Sequence, residues 1–102
     1  VLDDAGIAFY QRLVADRDHV DATLSMMAQW RLDPLLARLG QVAVPVTLIT
    51  AARDGAVPPV TSRDATRMIP GARLIALPAH GHLVHEEDPA TIAALIHKSL
   101  VP

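Results

Sequence analysis

The chain has 102 residues, 51% of them hydrophobic and 20% charged, which is ordinary globular composition and bounds it at one domain. The formal net charge of −2, with no basic run, excludes a nucleic-acid partner, because phosphate binding needs clustered Lys and Arg. The absence of cysteine excludes disulfides, a thiolate nucleophile and a cysteine-type zinc site. No apolar run approaches the ~20 residues of a membrane span, and no secretory leader pattern is present, so a cytoplasmic location is expected.

Asp3-Asp4 can cap a first helix running to about Ala15, with Ile7, Phe9, Tyr10, Leu13 and Val14 as a broad apolar face. Gly6 weakens its first turn. Asp18 is placed to cap a second helix from His19 to about Trp30. Val20, Leu24 and Met27 recur on one face of it, beside Met26 and Trp30. Two adjacent methionines and a tryptophan form a soft, adaptable surface. That surface either fills a core or acts as a lid over an apolar substrate. Asp33-Pro34 reads as the N-cap and first position of a short helix that Gly40 stops.

Val44 to Thr50 is a near-continuous β-rich run, suited to a strand covered on both faces, with Pro45 tolerable only near its start. It empties into Ala51-Ala52-Arg53-Asp54-Gly55-Ala56-Val57-Pro58-Pro59, a turn carrying one carboxylate. A helix from Val60 or Thr61 to about Ile69 follows, closed by Pro70-Gly71. Arg73 to Leu77 forms the second strand, so strand, helix and strand make a βαβ unit. Asp88-Pro89 caps a closing helix whose apolar positions are Ile92, Leu95, Ile96 and Leu100.

Parallel strands deliver their loops to one sheet edge, where open α/β sheets place their chemistry. The pattern therefore points to Asp54, after the first strand, and to His82, in the Pro78–Pro89 loop after the second. A carboxylate on one imidazole nitrogen fixes the tautomer and leaves the other nitrogen to take a proton from a hydroxyl. Gly81 permits a close approach beside His82. His80, His82 and His85 also have an H-x-H-x-x-H spacing that can serve a metal centre. Val84 stands where such a loop needs Asp, so no metal is assigned, and His80 and His85 read as loop-packing or surface residues. Glu86, Glu87 and Asp88 read as solvated charges that favour the following helix start. Ser25, Ser62 and Ser99 all fall in helices, and none sits in a G-x-S-x-G elbow.

Val44 to Pro58, then Pro70 to His82 and Glu86 to Pro89, resemble the acid strand and loop, the closing strand, the histidine loop and the last helix of the α/β-hydrolase fold. Ala51 stands where relatives often carry Gly. The resemblance implies an α/β fold represented by its C-terminal part: residues 1–32 as the end of a helical cap and 33–102 as core. Beginning at Val1 and supplying two strands, the chain reads as part of a longer protein. The resemblance further implies catalytic roles for Asp54 and His82 toward an ester or related bond. The nucleophile would lie outside the chain, no cofactor would be needed, and the substrate would be small and apolar, contacting Met26, Met27, Trp30 and Val57. His19 to Trp30, with Leu32 to Leu36, is similar to the magnesium-chelatase accessory subfamily of bacteriochlorophyll biosynthesis. That similarity implies a chelatase subunit as a partner and a non-catalytic accessory role as the alternative function; a metal-dependent hydrolase, from the histidine spacing, is the lesser alternative.

Overall fold

The computed structural model describes residues 2–101 and divides into two compact units, residues 2–35 and residues 36–101. In the first, α1 (Asp4–Ala15) packs on α2 (Arg17–Ala28). Asp3 caps α1 by accepting the Gly6 N–H at 2.8 Å, so the weak first turn is held by its cap. The cap of α2 is Asp16, not Asp18: its carboxylate accepts the His19 N–H at 3.1 Å, and the helix starts two residues earlier than expected. All three positions of Asp16-Arg17-Asp18 are polar, and the acid that can turn its oxygen onto the first free N–H wins. Tyr10, Leu13 and Val20 are half-buried, while Ile7, Phe9, Val14 and Leu24 stay exposed, so the apolar faces are broader than the contact between them.

The next helix is one turn, α3 (Leu32–Leu36). It begins at Leu32 with Asp33 already inside it, so Asp33 is an acid of its first turn rather than its N-cap. Gly40 does not end it either; it lies in a separate 3₁₀ turn, Leu39–Gln41.

The sheet is a parallel pair, β1 (Thr47–Ala51) and β2 (Arg73–Leu77), joined through α4 (Pro59–Met68). Its register runs from Thr47 opposite Arg73 to Ala51 opposite Leu77. β1 starts at Thr47, not Val44, because Pro45 brings no N–H to a ladder. The strand carries on one residue further, through Ala51. It is only half-buried over its first three residues and becomes buried at Thr50 and Ala51. α4 packs on both strands. Pro58 is its N-cap, and Ile69, its C-cap, is buried. Gly71, at φ +69°, then reverses the chain into β2 in a conformation side chains resist. No other described residue has a positive φ, so Ala51 meets no backbone strain.

The histidine loop contains a one-turn helix the sequence pattern hides, α5 (Val84–Glu87), packed on α6 (Pro89–Leu100). Asp88 caps α6 by accepting the Thr91 N–H at 3.1 Å, as its pairing with Pro89 anticipates.

Candidate active site

The in-register sheet explains why two distant loops meet. Beyond the strand ends the ladder continues: Ala52 N–H donates to Leu77 C=O at 2.9 Å, and Arg53 N–H donates to His80 C=O at 3.0 Å. The loops thus leave the carboxyl edge of the sheet side by side. The next step along each brings Asp54 and His82 together, with His82 Nδ1 2.9 Å from Asp54 Oδ2.

Asp54 is itself oriented by its turn. Its Oδ1 accepts the N–H groups of Ala56 at 2.9 Å and Val57 at 2.8 Å. One oxygen is therefore spent on the loop and the other is aimed at the imidazole. The His82 hydrogen bond, reinforced by the Val57 and Ala56 N–H groups, holds the Asp54 carboxyl below its ordinary range. Its side chain is 13% exposed, against 49% for His82. An ionised, shielded carboxylate beside Nδ1 keeps the proton on that nitrogen. Nε2 is then the ring's remaining base. The pair can orient and accept a proton, which is the acid–base part of nucleophilic catalysis.

Both residues line a cavity of about 370 Å³ with Val57, Ile49, Val84 and Ile92 as apolar walls. Ser62, on α4, also lines it, as does His85. The sequence pattern does not single out Ser62; its placement on the face of α4 toward the cavity emerges only with the fold.

The sequence profile of the alpha/beta hydrolase family matches residues 2–95. The chain belongs to the alpha/beta hydrolase family. A magnesium-chelatase 30 kDa subunit from Rhodobacter capsulatus is 48% identical to it over 86 residues, which is 84% of this chain and 30% of that protein. The chain therefore spans about a third of the length of the curated relative it matches.

Within this alpha/beta hydrolase chain, the loop carboxylates depart from the reading of them as solvated charges. Glu87 and Asp88 are half-buried and bonded. Glu87 Oε2 accepts the Gly81 N–H at 3.3 Å, and that bond, first among its causes, lowers the Glu87 carboxyl. Asp88 Oδ2 lies 3.2 Å from His80 Nε2, while its bonds to Thr91 dominate the lowering of its own carboxyl. His80 is thus no surface residue but a half-buried partner of the last helix. Gly81 is required by proximity rather than by its φ: a Cβ there would sit 2.9 Å from Glu87 Oε1.

The three loop imidazoles go to three different carboxylates: His80 to Asp88, His82 to Asp54, and His85 to Glu86 at 3.5 Å. Among the described residues, no three His, Asp or Glu side chains gather to hold a metal ion. Met26, Met27 and Trp30 belong to the unit of residues 2–35, where all three side chains are exposed. No described helix is long and apolar enough to cross a membrane.

Proposed function

We propose that this chain, as part of a longer protein, serves a magnesium-chelatase accessory role on an alpha/beta hydrolase frame. What supports this reading is the 48% identity to a magnesium-chelatase subunit across most of the chain. The Asp54–His82 contact at 2.9 Å favours a second component, a working acid–base relay within that frame. In it Asp54 orients His82, and His82 Nε2 takes a proton from a nucleophile outside these 102 residues. His82 then returns the proton to the leaving group of an ester or related bond. Val57 and the other apolar walls of the cavity suit a small apolar substrate. In this reading residues 33–102 supply the acid and histidine loops of the core, and residues 1–32 belong to its helical cap.

The test uses the full-length protein, wild type and Asp54→Asn, in two assays: support of magnesium insertion by the chelatase, and ester hydrolysis. The expected result is that wild type supports insertion, and that Asp54→Asn lowers hydrolytic kcat by up to ~10⁴-fold, as in a Ser-His-Asp triad. Full chelatase support by Asp54→Asn, with no hydrolysis by either protein, would leave the accessory role and remove the relay. Failure of the wild type to bind or assist the chelatase would sink the accessory role.

A further inference from the structure

We propose that His80 is a positioning residue for His82, acting with Asp88 as a brace between the histidine loop and the last helix. His82 is half exposed, and among the described residues its ring makes one hydrogen bond, to Asp54. A ring held that lightly takes its direction from the backbone that carries it. That backbone is tied on two sides just before His82. On the acid-loop side, His80 C=O accepts the Arg53 N–H at 3.0 Å, one residue before Asp54. On the helix side, His80 Nε2 meets Asp88 Oδ2 at 3.2 Å, and Gly81 N–H meets Glu87 at 3.3 Å. His80 thus joins both sides, through its carbonyl to one and its ring to the other.

Asp88 makes this brace rigid because its two oxygens do different work. Oδ1 caps α6 through Thr91, and Oδ2 faces His80. A twelve-residue helix is in this way connected, through one carboxylate and one imidazole, to the residue two before His82. The tautomer follows from the surroundings. His80 Nδ1 is shut off from water with no hydrogen-bond partner among the described residues, so a proton there would be a buried, unsatisfied donor. The proton belongs on Nε2, where it donates to Asp88. Among the described residues, the titratable groups facing His80 are Asp88 and, through the next residue, Glu87.

The catalytic meaning of the brace rests on the relay proposed above, but its existence does not, and the experiment reads the geometry directly. Long-range ¹H–¹⁵N correlation spectra of the full-length protein report which nitrogen of His82 carries the proton. Wild type is expected to show His82 protonated on Nδ1, and Asp54→Asn, the control, to lose that preference. His80→Phe keeps a ring without the donor, and His80→Gln restores an N–H donor near the Nε2 position. The expected outcome is that His80→Phe gives a mixed His82 tautomer and His80→Gln returns it toward wild type. Asp88→Asn is the second variant, since Asn caps a helix as well as Asp. It keeps α6 while presenting an amide to His80, so it should also mix the tautomers, and it decides the matter if His80→Phe does not fold. A His82 that stays wholly Nδ1-protonated in both His80→Phe and Asp88→Asn would overturn the proposal. Where hydrolysis is measurable, His80→Phe should lower kcat by up to ~10²-fold with KM little changed, the size of effect a small misplacement produces. An unaltered tautomer refutes the brace whatever the activity. Absent hydrolysis with a shifted tautomer refutes the relay and leaves the brace.

Discussion

Asp54 carries more of this fold than a loop carboxylate usually does, because it closes its own turn and contacts the histidine loop at once. That double duty has a consequence for acid stability. The folded chain holds the Asp54 carboxyl below its ordinary value of 3.8. A carboxyl depressed by folding contributes stability in full above its unfolded value, and loses it as pH falls through the folded one. Glu87 and Asp88 shift the same way. Wild type should therefore melt higher than Asp54→Asn above pH 3.8, and the gap should narrow as pH falls below it. Thermal melts of both proteins across that range check this. A gap that stays constant into strong acid would mean that the ionised form of Asp54 adds nothing to folding. At this same scale, the meeting of Asp54 and His82 was legible in the sequence, because each follows a strand of a βαβ unit and that topology sends both loops to one edge. The capping role of Asp88 was legible too, but its second bond, to His80, and the bond of Glu87 to Gly81 were not. A histidine and two acids beside a loop look alike on paper whether they are solvated or bonded, and only the turn of α5 brings them onto His80 and Gly81.

At the scale of elements, what was legible depended on how sharply the chain marks its own boundaries. β2 runs from Arg73 to Leu77 as read, since Pro70-Gly71 and Pro78 fence it on both sides. α6 starts at Pro89 as read, since Asp88 has one N–H to cap and Pro has none to give. The start of α2 was ambiguous among adjacent polar residues, and α5 is too short to show a period. Gly71 is the boundary that depends most on its residue type. Its φ of +69° is a left-handed conformation, while no atom lies within 4 Å of where a Cβ would stand. Gly71→Ala should therefore cost about 1 kcal/mol from backbone strain alone, lowering the melting temperature by a few degrees. Gly55 offers the contrast, because it too has open space but no positive φ. Gly55→Ala should leave stability unchanged or raise it slightly, through the lower entropy of the unfolded chain. Equal losses in the two variants would show that space, not φ, governs both turns.

The whole molecule is short of cover. Among the described residues, only Ala51 and Ile69 are buried apolar side chains, at 4% and 8% exposure. In the unit of residues 36–101, Val44, Val60, Met68, Ile96 and Leu100 are exposed; in the other, so are Leu24, Met26, Met27 and Trp30. Among the described residues the two strands pair only with each other, although parallel strands ordinarily lie between covered faces. Apolar surface on this scale is driven toward any surface that removes it from water. The 102 residues expressed by themselves should therefore bind a hydrophobic dye, melt without a sharp transition and self-associate at micromolar concentration. The longer protein proposed above should melt cooperatively and bind little dye. Sedimentation, dye fluorescence and calorimetry on the two proteins side by side make the comparison. A monomeric, dye-free, sharply melting 102-residue chain would mean that the half-buried contacts of these helices suffice by themselves. The Asp54–His82 edge could then be studied without the rest of the hydrolase frame. The opposite outcome would tie the Asp54–His82 contact to that frame: the strand register that brings the two loops together would hold only while the outer faces and edges of β1 and β2 are covered.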